Sequence, residues 1–492
     1  MEIQRGMQTR EVAPRASVLI ESMRDIGYSL ESAMADIVDN AITAGATCIR
    51  LFAKSDKASP HIAILDDGKG MDSEEILAAM RLGSRSPLEE RGHADLGRFG
   101  LGLKTASFSQ CRRLTLVSRK DGRTSAAIWD FERVAETDEW LVEIPDKPEA
   151  IPLVDKLSEN GTLVLWENLD RVVQDGSNDA FAHFIKRVDE VRSHLELVFH
   201  RFLAAESGYR KIQMSLNERP LESFDPFHSS HPATDMGPVE RIKVGSHEVS
   251  VQTFTLPHHK KVTPDEWERY AGPAGYVKNQ GFYVYRQRRL IIHGTWFGLA
   301  RQTELTKLAR VRIDMPNGLD ADWKIDVKKA SAQPPYQVRD RLRRIIETLG
   351  ANSKRVFTRK GQKLLSENRL PVWDRIQDKG EITYRINPDY PMVKEFASRL
   401  PEGVRADFLR VLEVAGSALP MDALFADLGD APSKVAGNTT SDESLHQALQ
   451  ATVNQLKDGK VGLAEIKEML QFVEPFRSNW ERTGPLLEQL TD

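Results

Sequence analysis

At 492 residues the chain has the length for two to four domains, each with its own core. Hydrophobic residues make up 40% and charged residues 28%, as in an ordinary soluble protein. A net charge of -4 excludes a global pull toward nucleic acid or an anionic membrane, so any basic surface has to be local. Two cysteines, Cys48 and Cys111, exclude a disulfide framework and a cysteine-ligated zinc site.

The opening MEIQRGMQTREVAPRAS has no signal-peptide core, and no later run reaches transmembrane length, so the expectation is a cytoplasmic protein. From Leu30 onward, Ala33, Met34, Ile37, Val38, Ala41 and Ile42 recur at helical steps, with Ser29 as N-cap and Gly45 as stop. Asp36 and Asn40 lie four apart on one face of this helix, with Asp39 off that face. Taken alone, the pair fits a solvated polar stripe as well as a site. Cys48–Phe52 and His61–Leu65 read as strands, the second ending in Asp66-Asp67-Gly68-Lys69-Gly70-Met71, and Glu74–Leu82 reads as a helix. Residues 83–102, rich in glycine, serine and charge, read as a mobile lid. It ends in Gly97-Arg98-Phe99-Gly100-Leu101-Gly102, followed by the helical Leu103-Lys104-Thr105. Arg113–Ser118 and Thr124–Phe131, joined by Asp121-Gly122, form a predicted hairpin, and Gly161–Trp166 is a further strand.

Residues 1–175 are thus expected to be one α+β layer, helices on a mixed, mostly antiparallel sheet. A second domain is expected over 176–345. It opens on a helix and carries strands at Lys211–Leu216, Arg241–Val244, Val249–Thr255, Gly281–Tyr285 and Leu308–Asp314. From Tyr336 the chain reads as mostly helical, giving a C-terminal region 346–492 with a flexible linker near 429–444. Arg339, Arg341, Arg343, Arg344, Lys354, Arg355, Arg359, Lys360 and Lys363 cluster, interrupted by Asp340 and Glu347. Such a run fits either a solvated helix face or a phosphate-backbone contact.

Three pieces carry a resemblance: the Asp36/Asn40 helix, the strand-end DDGKG, and the GRFGLG segment. Each alone has an ordinary reading, as a polar stripe, a tight turn or a loop-to-helix junction. In this order and at these separations they resemble the GHKL, or Bergerat-fold, ATPase family, with Gly161-Thr162 as its fourth element. The resemblance implies an ATP-binding sandwich over residues 15–170, then an S5-like transducer domain and a helical tail. Asn40 is then the Mg²⁺ ligand, since magnesium is usually held by one protein oxygen, phosphates and water. Asp66 accepts from the adenine amine, with Gly68, Gly70 and Met71 lining the base and Thr162 near that aspartate. Gly97, Arg98, Phe99, Gly100, Leu101 and Gly102 supply backbone N–H groups to the phosphates, and Lys104 adds charge there.

Asp36 stands where the family commonly has glutamate as general base, and is shorter by roughly 1.5 Å. Thr43 also replaces a frequent aspartate, so turnover is expected to be slow. The stretch 281–291 looks like the transducer strand of MORC and MutL proteins, and Lys328 falls where those proteins place a lysine on the γ-phosphate, with Lys324 and Lys329 beside it. No phosphoacceptor hairpin precedes the helix, no cleavage domain follows, and the charged linker of Hsp90 is absent. The branch implied is a prokaryotic MORC-like or MutL-like ATPase. It would act as an ATP-dependent homodimeric clamp on DNA, with partner proteins of a defence operon and no membrane. The rival is an Hsp90-like chaperone or signalling ATPase acting on a protein partner.

Overall fold

A computed structural model of the chain describes residues 14–25, 27–54, 60–83, 102–172, 180–204, 206, 208–320, 322–323, 333–358, 371–378, 381–421, 423–424, 440–458, 461–471 and 473–491. The chain divides into two compact units, Met1–His258 with Pro264–Leu349, and His259–Thr263 with Gly350–Asp492.

The first unit opens with α1 (Ala16–Arg24) and α2 (Leu30–Thr43). Ser29 caps α2 by accepting from the Ser32 N–H, and Leu30, Ala33, Met34, Ile37, Val38 and Ala41 are buried along it. Then come β1 (Cys48–Lys54), β2 (His61–Asp66), α3 (Ser73–Met80), α4 (Gly102–Phe108), β3 (Arg113–Lys120), β4 (Arg123–Asp130), α5 (Phe131–Thr137) and β5 (Gly161–Glu167). A long helix, α6 (Ala180–Val198), leads through α7 (His200–Leu203) to β6 (Gln213–Leu216) and β7 (Arg219–Pro220).

These strands make one seven-stranded sheet in the order β4-β3-β5-β2-β1-β6-β7. Only the β1–β6 pair is parallel. Along β2, Ile62 and Ile64 face the core beneath α2, while Ala63 and Leu65 face a second core closed by Val154 and Leu157. Both faces are covered, which is why β2 and β5 read as continuous apolar runs. The expected boundary at residue 175 does not match the sheet. Phe184, Val191, Leu195 and Val198 of α6 pack into the α2 core, and Lys211–Leu216, expected in the second domain, pairs through β6 with β1.

A second sheet follows within the same unit, from β8 (Asp235–Val244), β9 (His247–Thr255), β10 (Gly281–Arg286), β11 (Arg289–Thr295) and β12 (Ala309–Met315). Its order is β11-β10-β12-β9-β8, with β10 and β12 parallel. Val338, Leu342, Ile345 and Leu349, at helical spacing on α8 (Tyr336–Thr358), join its core beside Val251, Val311 and Trp323.

The described residues of the second unit are mostly helical, with one pair of strands that the sequence reading does not include. An antiparallel hairpin, β13 (Trp373–Asp378) and β14 (Glu381–Ile386), precedes the helices Pro391–Arg399 and Glu402–Ser417. The expected linker at 429–444 lies outside the described residues up to 439. Its last residues instead start the helix Asp442–Asp458, where Ser441 Oγ accepts from the Ser444 N–H. This helix packs with Leu463–Leu470 and Trp480–Thr491 around Leu445, Leu449, Val453, Ile466 and Phe476. Among the described residues no helix is long and apolar enough to cross a membrane.

Candidate nucleotide site

The candidate site lies where α2, the turn after β2, the start of α4 and strands β3 and β5 converge. Asn40 is exposed, and the carboxylate of Asp36, one turn earlier, is 8% exposed. Tyr28, just ahead of the N-cap, donates its hydroxyl to Asp36 Oδ2 at 3.1 Å, which fixes the orientation of that carboxylate. A Cβ built on Gly102 would lie 3.7 Å from the same oxygen, so the first residue of α4 abuts Asp36.

The turn after β2 is folded onto the end of α2. The Lys69 N–H donates to Ala44 O at 3.1 Å, and a Cβ on Gly68 would come within 2.9 Å of Ala44 Cβ. Gly70 has φ +69°, and a Cβ there would sit 2.0 Å from Arg119 O, so only glycine fits between the turn and β3. The two aspartates of the turn divide their work. Asp67 accepts from Thr47 N, Thr47 Oγ1 and Cys48 N at 2.6–2.8 Å, locking the start of β1 to the end of β2. Asp66 accepts from the Gly68 N–H at 2.8 Å. Burial pushes its carboxyl up to about 6, against the pull of the Gly68 and Thr162 N–H groups.

Strand pairing sets Thr162 directly opposite both Asp66 and Ser118. Ser118 Oγ donates to Gly161 O at 2.8 Å, accepts from the Met71 N–H at 2.8 Å and lies 3.0 Å from Thr162 Oγ1. The structure therefore brings together Asp36, Asn40, Asp66, Gly68, Gly70, Met71, Gly102 and Thr162. Gly97, Arg98, Phe99, Gly100 and Leu101, and the lysines Lys324, Lys328 and Lys329, lie outside the described residues.

Lys104 is placed differently from the expectation of a phosphate-side charge. Its ammonium is turned under α3, donating to Ala79 O and Arg81 O at 2.9 Å, and the residue is 1% exposed. The carbonyls at a helix C-terminus are a ready cation partner, and burial brings this ammonium down to about 8.

Three contributors escape the sequence reading. Ser118 is legible only as a hydroxyl just after the run LTLV, and Tyr28 only as a residue flanking a cap. The third is Arg289 of β11, whose Nε lies 3.2 Å from both carboxylate oxygens of Asp39, the buried neighbour of Asn40. Nothing local in the sequence joins two positions so far apart.

Residues 28–162 match the family described as histidine kinase-, DNA gyrase B- and HSP90-like ATPase. The GHKL domain implies ATP binding, and the mixed sheet with its helices is the architecture of that class. The chain is also similar to the ATPase morc-1 of Caenorhabditis elegans, 35% identical over 20% of the chain and 11% of that protein. A match to the chaperone protein HtpG of Rickettsia canadensis is 26% identical over 26% of the chain and 20% of the relative. The DNA mismatch repair protein MutL of Rhodospirillum rubrum is 35% identical over 19% of the chain and 15% of the relative. The matched segments thus span a fifth or less of these relatives' own length.

Proposed function

We propose that the protein is a magnesium-dependent ATPase of the MORC/MutL-like branch, hydrolysing ATP slowly to ADP and phosphate and working as a dimeric, ATP-gated clamp on DNA in a genome-defence setting. The observation that carries the reading is the exposed Asn40 carboxamide beside the Tyr28-held Asp36 carboxylate, within the family-matched segment.

The donor set fits magnesium: one amide oxygen from Asn40 would hold it, the rest coming from phosphate and water. When bound, the ion neutralises triphosphate charge. Asp66, ionised above about pH 6, accepts from the adenine amine, and the Ser118–Thr162 pair keeps the base edge of the site polar. Asp36 takes the proton of the water that attacks the γ-phosphorus, and ADP leaves. Lys328, with Lys324 and Lys329 as neighbours, is proposed to meet the transferred phosphoryl charge. DNA as partner is supported by the exposed Arg339 and Arg343 on α8, while Arg341 and Arg344 are engaged with Glu240 and Asp340.

Asn40→Ala should abolish ATP binding, measured by calorimetry; binding at wild-type affinity refutes the site. ATPase assays with and without DNA across a salt series test the partner. Stimulation that fades with salt supports the clamp. Absence of DNA binding at low salt favours the reading in which ATP controls a protein client, as the similarity to a chaperone protein would suggest.

A further inference from the structure

The second sheet reaches the site helix α2 through an ion pair at Asp39. Asp39 is 2% exposed and Arg289 6%, and the pair closes at 3.2 Å. Arg289 is itself fixed on three sides. Its Nη1 donates to Leu290 O at 2.7 Å, its guanidinium lies 5.4 Å from the Phe199 ring centroid, and its backbone is the first residue of β11. His194 of α6 faces the same pair. Burial, then the charge of Arg289, holds its imidazole down at about 3, so it stays neutral there and brings no competing cation.

The turn that delivers Arg289 is strained and pinned. β10 and β11 are joined by Gln287-Arg288, at φ +49° and +70°, a left-handed pair that glycine or asparagine usually occupies. Arg288 holds this conformation by donating from Nε to Glu206 Oε2 at 2.9 Å and stacking over Phe202 and Tyr209, at 4.7 and 4.0 Å. On the other side of the turn, Arg286 donates from Nε to Asp320 at 2.9 Å, with Nη2 2.8 Å from the same carboxylate. Three arginines in four residues thus each take a different carboxylate, and two bulky residues are kept in the left-handed pair that a two-residue hairpin turn requires.

We infer that Arg289 is a positioning residue for the nucleotide chemistry, acting through Asp39 to set the rotation of α2 and hence the places of Asn40 and Asp36; the inference rests on the ATPase reading of that helix. Successive residues on a helix point about 100° apart, so a contact at Asp39 governs the angle at Asn40 directly. A side-chain atom about 6 Å from the helix axis moves by about 1 Å for a rotation of about 10°. A misplacement of that size costs as much as about 10²-fold in rate. The arrangement makes turnover depend on how the second sheet sits against α2.

The test removes both charges together, Asp39→Asn with Arg289→Gln, so that no buried carboxylate is stranded, and compares it with Arg289→Lys. Steady-state kinetics, ADP affinity and hydrogen exchange of the peptide 30–43 without nucleotide are measured on the full chain. The double variant should bind ADP within about threefold of wild type, lose at least about tenfold in kcat with little change in KM, and exchange faster over 36–43. Arg289→Lys, which keeps the charge and loses the planar fork, should fall between the two. Wild-type kcat together with unchanged exchange in α2 overturns the inference. If the double variant does not fold, Arg289→Lys decides: a reduced kcat at unchanged ADP affinity supports it, and wild-type kcat overturns it. A wild-type chain that binds no nucleotide refutes the ATPase reading instead, and the exchange of 30–43 still reports whether the pair holds α2.

Discussion

Burial sets two demands on Asp66 against each other. To accept from an adenine amine the carboxyl has to be ionised, yet its surroundings lift it to about 6. A carboxyl raised from 3.8 favours the fold fully below about pH 3.8, and that contribution is lost as pH rises through about 6. Asp66→Asn should therefore be more stable than wild type at pH 7, by at most about 3 kcal/mol at about 1.4 kcal/mol per pKa unit, with the gap closing toward pH 4. The same variant should bind adenosine about 10- to 100-fold more weakly, the range of a hydrogen bond to a charged group. Wild-type affinity for adenosine should fall toward tenfold per pH unit below about 6; a flat profile between pH 5 and 7 would remove Asp66 from base recognition. Asp36 makes a different prediction. Asp36→Asn should keep ATP and lose hydrolysis, whereas Tyr28→Phe, which removes the hydroxyl donor to Asp36 Oδ2, should cut kcat about 10-fold with KM little changed. Equal loss of affinity in both variants would mean that the residues shape the pocket and not the reaction.

At the level of elements, the turn after β2 offers a controlled comparison. Gly70 and Gly122 have nearly the same φ, +69° and +75°, but a Cβ on Gly122 meets open space and one on Gly70 meets Arg119 O at 2.0 Å. Gly122→Ala should cost about 1–2 kcal/mol, the left-handed strain alone. Gly70→Ala should cost upward of about 4 kcal/mol, because β3 has to move as well. Urea denaturation of the two variants measures the difference, and equal costs would show that the turn does not bear on β3. These turns also explain what the sequence discloses. The hairpin of β3 and β4 is readable because Asp121-Gly122 is the chemistry a two-residue turn asks for. The hairpin of β10 and β11 is not, because Gln287-Arg288 carries no such signal and is held by Glu206, Phe202 and Tyr209, which only the fold brings near. The Asp36–Asn40 face of α2 follows from helical periodicity. The joining of β6 to β1, and of Asp39 to Arg289, depends on strand order and packing that no local pattern encodes. Lys104 is missed for a related reason: next to a glycine-rich segment a lysine suggests phosphate, but the exposed carbonyls at the end of α3 compete for it.

For the molecule as a whole, the cores say which parts melt together. Every buried apolar cluster of the first unit closes on residues up to Leu349, and the cluster of the second is built from Leu445 to Leu487. The family-matched segment, with all the described site residues, lies wholly in the first. Calorimetry of the full chain should therefore show two transitions. A non-hydrolysable ATP analogue at about 100 times its Kd adds about 2.7 kcal/mol to whatever binds it, a shift of a few degrees for a unit of this size. Only one transition should move, and Asn40→Ala should abolish that shift while leaving the other unchanged. A chain ending after Thr358 should keep the ATP-responsive transition with affinity within about threefold of the full chain. If both transitions of the full chain moved together with nucleotide, the two cores would have to be energetically coupled, and the C-terminal unit would belong to the nucleotide machinery instead of being carried by it.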